Sequence, residues 1–257
     1  MPASISVITP VYNGRRFIDA CIANVLDQDC PGLEHVLVDG GSTDGTVEVI
    51  RARASRSSHI RWISRPDRGQ SDAMNAGLAM AAGEILGFLN ADDFYEPGAL
   101  RFVLDRFAAL PAPSLLVGNC IVRGDGDRVL WINRPRHLAA RRLLVGDESR
   151  YPFPVNPSAY FYHKSLHALV GDYDLGERYA MDIDFILKAV RRAHTVYVDR
   201  ALGNYRYIEG TKTFENPDSQ RSFDRLLREH RRRLPPLDRL VVGAHRVWLR
   251  CARRIGG

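Results

Sequence analysis

Strand-like and helix-like stretches alternate four times in the first 110 residues, and this alternation limits the fold more than any other feature. Ile5–Val11 is apolar and β-branched, the pattern of a buried strand. Arg16–Gln28 follows, with Phe17, Cys21 and Val25 and also Ile18, Ile22 and Leu26 at helical spacing. His35–Asp39 and Ile60–Ser64 predict two further strands, with a helix over Thr46–Ala54 between them. Ser71–Ala82 predicts a third helix, ended by Gly83, and Ile85–Leu89 a fourth strand. Pro97 opens a helix over Gly98–Leu110. Strands joined in this way imply an α/β fold, a mainly parallel sheet with helices on both faces.

The second half is less regular. Leu115–Arg123 and Arg128–Asn133 read as a hairpin around Gly124-Asp125-Gly126. Helices are expected over His137–Val145 and Asp182–Ala193, and strands over Ser158–Tyr162 and Thr195–Val198.

Sheets of this kind bind ligands at the carboxyl ends of their strands. Asn13, Asp39, Asp67 and Asp92 each follow or close one of the four predicted strands. Asn90-Ala91-Asp92-Asp93 offers hard oxygen donors suited to Mg²⁺ or Mn²⁺, or else an N-cap for the next helix. In Asp39-Gly-Gly-Ser-Thr-Asp-Gly the glycines admit a close approach of backbone to ligand. Asp39 can accept hydrogen bonds, and Ser42 or Thr43 can cap the helix near Thr46. The chain has neither a Walker phosphate loop nor a GxGxxG pattern, which argues against an ATPase or a dehydrogenase. Asp182 and Asp184 open a helix. One can act as a general base while the other caps, and the residues alone do not separate them.

Charge is unevenly placed. From Asp218 onward there are eleven arginines against four acids, a local +7 in a chain of net charge +6, so the remainder is about −1. A near-neutral body with a basic tail argues against nucleic acid and for a partner met by the tail alone. After Pro235-Pro236, the residues Leu237, Leu240, Val241, Ala244, Val247, Trp248, Cys251 and Ile255 recur at spacings of three and four. With Arg239, Arg246, Arg250, Arg253 and Arg254 beside them, they form the pattern of a helix lying in an anionic membrane surface. The alternative is a helix packing that stripe on protein. No apolar run reaches the roughly 18 residues of a membrane span. The N-terminus reads as a strand rather than a cleaved signal, and the four cysteines lack metal spacing. A cytoplasmic location follows, with peripheral attachment to the inner face of the cytoplasmic membrane through the tail.

ISVITPVYNG (5–14), DGGSTDGT (39–46), GQSDAMNAGL (69–78) with Gly83-Glu84, LNADDFY (89–95) and YAMDIDF (179–185) occur in order. Together they resemble family 2 glycosyltransferases of GT-A fold, over residues 4–214. The resemblance implies an inverting enzyme that takes a nucleotide-sugar, of the UDP type, and a divalent cation, Mn²⁺ or Mg²⁺. The acceptor implied is a glycan or lipid-linked hydroxyl, in polysaccharide or glycolipid assembly. By position, Thr9, Pro10 and Tyr12 match the segment lining the nucleotide base, and Asp39 the acid that contacts it. Asp67, Arg68 and Asp72 border the nucleotide and diphosphate. Asn90-Ala91-Asp92 matches the DxD motif, with Asp92 in the metal-binding place and Asn90 on the donor. Asp182 matches the acid taken as base.

The chain departs from the family pattern at three places. Asn90 replaces the first acid of DxD, Met181 replaces a glutamate beside the base, and Ile208 falls near a histidine that many relatives carry. Arg206 and Lys212 remain to meet the diphosphate, or are solvated charges. These departures leave a second reading, a non-catalytic sugar-nucleotide binder or scaffold. A nucleotidyltransferase would need a Gly-rich basic N-terminal loop, which is absent. The organisation implied is a GT-A-like domain over 1–215 and a basic amphipathic helical tail over 216–257.

Overall fold

The structure, a computed structural model, describes residues 4–255 except Thr213 and Glu215, without the side chains of Arg250 and of residues 252–255. The first half runs β1 (Ile5–Val11), α1 (Ile18–Leu26), β2 (Leu33–Asp39), α2 (Thr46–Ala54), β3 (Ile60–Ser64), α3 (Gln70–Met80) and β4 (Ile85–Phe88). All four strands are parallel, in the order β3-β2-β1-β4. Period-two alternation feeds both faces. From β1, Ile5, Val7 and Val11 pack with α1 residues Cys21, Val25, Ile18 and Ile22, while Ile8 points the other way onto Ala73, Met74 and Leu78 of α3. From β2, Val36 and Val38 join the α3 side and Leu37 the α1 side. Because β1 has β2 on one flank and β4 on the other, the strand order reverses there. A crevice is thereby left above the carboxyl ends of β1 and β4.

The second half runs β5 (Phe94–Tyr95), α4 (Ala99–Phe107), β6 (Ser114–Arg123), β7 (Val129–Asn133), α5 (Ala140–Leu143), β8 (Tyr160–His163), α6 (His167–Val170), α7 (Met181–Ala189), β9 (His194–Arg206), α8 (Pro217–Arg232) and α9 (Pro236–Ile255). These strands extend the sheet to β3-β2-β1-β4-β8-β6-β9-β5, with β7 as a hairpin partner of β6. The extension is mostly antiparallel, so the whole is a mixed α/β sheet with flanking helices. The parallel expectation describes its first half.

Two expected elements differ markedly in extent. The helix expected over His137–Val145 is confined to Ala140–Leu143. The strand expected over Thr195–Val198 is β9, thirteen residues long. It continues through Asp199, Arg200, Gly203 and Asn204, residues of low strand propensity, because β6 pairs with it along two stretches and β5 pairs with its end. Helix α8 packs Leu226 and Leu227 into the cluster that holds Phe185 and Ile186 of α7, so the start of the tail shares the core of the body.

Candidate active site

Three loops above the parallel strands are tied to one another by the residues expected to meet a donor. The Asn13 N–H donates to Ser42 Oγ (2.7 Å), and the Thr43 N–H donates to Asn13 Oδ1 (2.9 Å). Ser42 and Thr43 therefore join the loop after β1 to the loop after β2 and do not cap α2. The capping acceptor is Asp44 Oδ1, 3.1 Å from the Thr46 N–H. Asp39, fully buried at the end of β2, accepts on Oδ2 from the N–H groups of Gly41 and Ser42 (3.0 Å each) and from Ser64 Oγ (2.7 Å). Its Oδ1 is buried without a partner among the described residues. Buried polar atoms are rarely left so, and an acceptor held in this way is ready for a donor N–H of a ligand. Gly40 allows the close contact beside it, since a Cβ there would lie 2.6 Å from Asp67 Oδ2.

The other expected donor residues are placed unequally. Tyr12 stands at the end of β1 with 66% of its surface exposed, a free aromatic face above the crevice. Pro10 is buried in β1. The Thr9 hydroxyl is turned into the core, 2.9 Å from His35 Nε2. Asp67 Oδ1 accepts from the Gly69 N–H (2.8 Å). Asp72 Oδ2 accepts from the N–H and the guanidinium of Arg68 (3.1 and 3.3 Å), so these two hold each other and shape the start of α3.

The loop after β4 separates its two aspartates. Asp93 is buried. Its Oδ1 accepts from the Arg206 N–H (3.0 Å), and its Oδ2 accepts from Asn90 Nδ2 (3.0 Å) and Asn156 Nδ2 (2.8 Å). Burial, and then the adjacent Asp92 charge, push its carboxyl well above the ordinary range. The Asp92 carboxylate meets its own backbone N–H, and its pKa is also raised, by burial first. Neither aspartate caps a helix, because β5 follows directly and α4 begins at Ala99 behind Gly98. Asp93 is thus a structural hub, and Asp92 is the carboxylate left to a ligand. Its hard oxygens suit a divalent cation that takes its other ligands from diphosphate and water. Among the described residues, no group of three or more His, Cys, Asp or Glu side chains forms a closed metal cage.

Asn90 is a relay rather than a lone donor contact. Lys212 Nζ donates to Gln70 Oε1 (2.9 Å), Gln70 Nε2 to Asn90 Oδ1 (3.1 Å), and Asn90 Nδ2 to Asp93. Arg206 is neither solvated nor free. Its guanidinium donates to the Asp92 carbonyl (2.9 Å) and Asp127 Oδ1 (3.3 Å), and it lies over the Phe94 ring. Both cations stand beside the Asp92 loop, where a diphosphate would need them. Ile208 is buried.

Helix α7 turns its two acids to different surroundings. Asp184 is buried against α8, 2.8 Å from His230 Nε2 and 2.6 Å from Lys188 Nζ. Burial raises its pKa, but those two hydrogen bonds outweigh burial and hold it below the ordinary value. Asp182 instead lines a cavity of about 1070 Å³ with Tyr179, Tyr205, Tyr207 and Trp131. Its Oδ1 accepts from the Ile183 N–H (2.9 Å), and burial raises its pKa to about 6 against that hydrogen bond, one from its own N–H and the Lys212 charge. Glu177 holds the turn that leads into α7: its Oε1 accepts from the N–H groups of Tyr179 and Ala180 (2.9 and 3.0 Å), and its other oxygen pairs with Arg225. Sequence reasoning missed Glu177, because its partners are set by the turn and by α8 rather than by local spacing. Met181 is buried in the core, so its position does not anchor an acceptor.

A family model described as Glycosyl transferase family 2 matches residues 6–169. The chain is 30% identical over 229 residues to the uncharacterized glycosyltransferase EpsJ of Bacillus subtilis, covering 84% of this chain and 62% of that protein. It is 31% identical over 212 residues to a PGL/p-HBAD biosynthesis glycosyltransferase of Mycobacterium bovis, covering 80% and 77%. In fold it resembles S. aureus TarS 1–349 in complex with UDP-GlcNAc (TM-score 0.68, 20% identity, 89% of this chain and 66% of that one). It also resembles the mannosyltransferase PcManGT of Pyrobaculum calidifontis in complex with GDP-Man and Mn²⁺ (TM-score 0.65, 19% identity, 96% and 70%). The ordered motifs, the crevice they surround and these similarities agree: the chain belongs to glycosyltransferase family 2.

Proposed function

We propose that the chain is an inverting glycosyltransferase that moves a sugar from a UDP-type nucleotide-sugar onto an acceptor hydroxyl in cell-envelope polysaccharide or glycolipid assembly. The observation that carries this reading is Asp182, a carboxylate on the cavity wall, made more basic by burial and otherwise uncommitted. Tyr12 offers a face for the base to stack on, and Asp39 Oδ1 accepts from a base N–H. A divalent cation at Asp92 would supply positive charge to the departing diphosphate. Arg206 and Lys212 add positive potential on the same side. The acceptor enters from the cavity, and Asp182 takes the proton of its hydroxyl as that oxygen bonds to the anomeric carbon. The bond from that carbon to the diphosphate breaks on the opposite face, so a single displacement inverts the centre.

Thermal shift against a panel of nucleotide-sugars with Mn²⁺ tests the donor, since ligands of the folded state raise its melting temperature. Donors that bind should be hydrolysed slowly, with EDTA stopping and Mn²⁺ restoring the reaction. Binding without any hydrolysis or transfer would favour the non-catalytic reading.

Helix α9 supports attachment to an anionic membrane. It meets the body through Val242, which is buried, and Leu249, which packs on the core. The opposite stripe faces outward, with Leu237 78%, Leu240 71% and Trp248 59% exposed. The alternative is that the stripe packs on protein, the catalytic domain or a second subunit; exposure of its described residues on the outer side favours an external surface. Arg239 and Arg246 flank the stripe, and the side chains of Arg250, Arg253, Arg254 and Ile255 lie outside those described. An apolar stripe with basic flanks fits an interfacial helix. Among the described residues, no helix is long and apolar enough to cross a membrane.

A further inference from the structure

A second cavity, of about 520 Å³, opens between the 143–149 loop, α8 and α9. It shares Glu148, Ser149, Gln220 and Phe223 with the cavity that holds Asp182, so the two cavities adjoin. Helical spacing builds its floor. Gln220, Asp224, Leu227, Arg228 and Arg231 lie at intervals of three and four on α8, which turns one face to the opening. Arg246 closes it from α9.

Three guanidinium groups therefore converge here, against the acids Asp224 and Glu148. The central one, Arg231, is held in place: its Nε donates to the Leu144 carbonyl (2.7 Å). Gly146, at φ 76°, makes room for it, since a Cβ there would lie 3.0 Å from Arg231 Nη2. Burial lowers the pKa of Arg231 to about 10, helped by the like charges of Arg246 and Arg228 and opposed by Asp224. Arg228 makes no ion pair with any described residue. Gathering cations where water is partly excluded costs free energy that a bound anion returns. Planar guanidinium forks match phosphate oxygens in two-point geometry.

We propose that this cavity is an anion subsite for the phosphate or diphosphate of the acceptor. The proposal rests on reading the chain as a transferase whose acceptor reaches Asp182. The cavity of Asp182 adjoins this one, which is bounded by Arg246 and Leu249 of α9, the helix whose outer stripe is apolar. A ligand matching both ends carries a sugar hydroxyl, then phosphate, then an apolar chain lodged in a bilayer.

Calorimetric titration of the full chain with inorganic pyrophosphate, in EDTA so that the cation-dependent donor site stays silent, tests this. Wild type should bind, and Asp92→Ala should bind as well as wild type. Arg228→Gln, at an exposed position outside the core, should bind about ten- to a hundredfold more weakly, the scale of one charged hydrogen bond. The same variant should raise KM for a phosphate-bearing acceptor and leave KM for a neutral sugar acceptor unchanged. Absence of binding in EDTA, or equal binding by Arg228→Gln, overturns the subsite. If pyrophosphate does not bind while Arg228→Gln loses affinity for phosphatidylglycerol vesicles, the arginines meet bilayer headgroups, and the acceptor assignment is overturned. Donor hydrolysis by wild type keeps the two readings apart. If it is absent while EDTA-resistant binding persists, the transferase reading fails and the anion site stands.

Discussion

Two aspartates a single residue apart on α7 have opposite fates because a helix turns them to different surroundings. Asp182 meets a cavity, and Asp184 meets His230 and Lys188. Asp182→Asn should bind donor normally and lose turnover by about two to four orders of magnitude, the usual share of a general base. The same change should stabilise the fold. The pKa of Asp182 is raised by folding to about 6, so the folded state favours the protonated form. The cost of ionising it is absent near pH 3, below the unfolded-state pKa, accumulates as pH rises toward 6 and is complete above that. Asn should therefore add about 1–3 kcal/mol in urea unfolding at pH 7 and nothing near pH 3. Asp184→Asn should do the reverse, keeping the base while losing about 3 kcal/mol, because a buried pair is broken on one side. If Asp184→Asn is the dead variant and Asp182→Asn is active, the roles are exchanged. The pH profile of kcat/KM should rise through an acid limb near 6, since only ionised Asp182 accepts a proton; the limb should vanish from the residual activity of Asp182→Asn.

At the scale of elements, the loop after β4 works because β9 is long enough to reach it. The Arg206 N–H at the end of β9 meets Asp93, and the Arg206 guanidinium meets the Asp92 carbonyl. Asp93 thereby joins β4, β9 and the segment before β8, while Asp92 stays available. Asp93→Ala should destabilise by about 2–4 kcal/mol, because its three hydrogen-bond donors lose their shared acceptor in a buried place. Asp92→Ala should leave the melting temperature within a degree or two while abolishing Mn²⁺-dependent transfer. A stable, active Asp93→Ala would show that the hub is dispensable, and full activity of Asp92→Ala in EDTA would remove the metal assignment.

Over the whole molecule, α9 presents two faces with different duties. Its inner contacts, Val242 and Leu249, belong to the core that includes α7 and α8. Its outer stripe is unpartnered among the described residues. Leu240→Ser with Trp248→Ser should reduce sedimentation with anionic vesicles at least tenfold and leave thermal stability unchanged. Each such side chain is worth about 1.5–3 kcal/mol when withdrawn from water. Val242→Ala should lower stability by about 1–2 kcal/mol with vesicle binding intact. Binding that survives the double substitution would leave the stripe to a protein contact.

The four-fold alternation, the polar strand ends and the ordered motifs were legible because they are local: period and spacing along the chain determine which side of a strand or helix is apolar. They determined the parallel half-sheet, the crevice at its carboxyl edge, and the presence there of Asp39 and Asp92. The apolar stripe of α9 was legible for the same reason, but which way it faces was not, since Val242 interrupts the opposite face with one buried contact. What depended on partners distant in sequence was decided by tertiary structure alone. The Thr9 hydroxyl belongs to the core because His35 of the neighbouring β2 meets it there. Asp182 rather than Asp184 is free because α8, 46 residues further on, brings His230 to the latter. The extent of β9 and the arginine-lined recess likewise arise from pairings and packing between segments far apart in the chain. Local spacing carries no record of such contacts, because burial and charge compensation are properties of the assembled neighbourhood rather than of the residue.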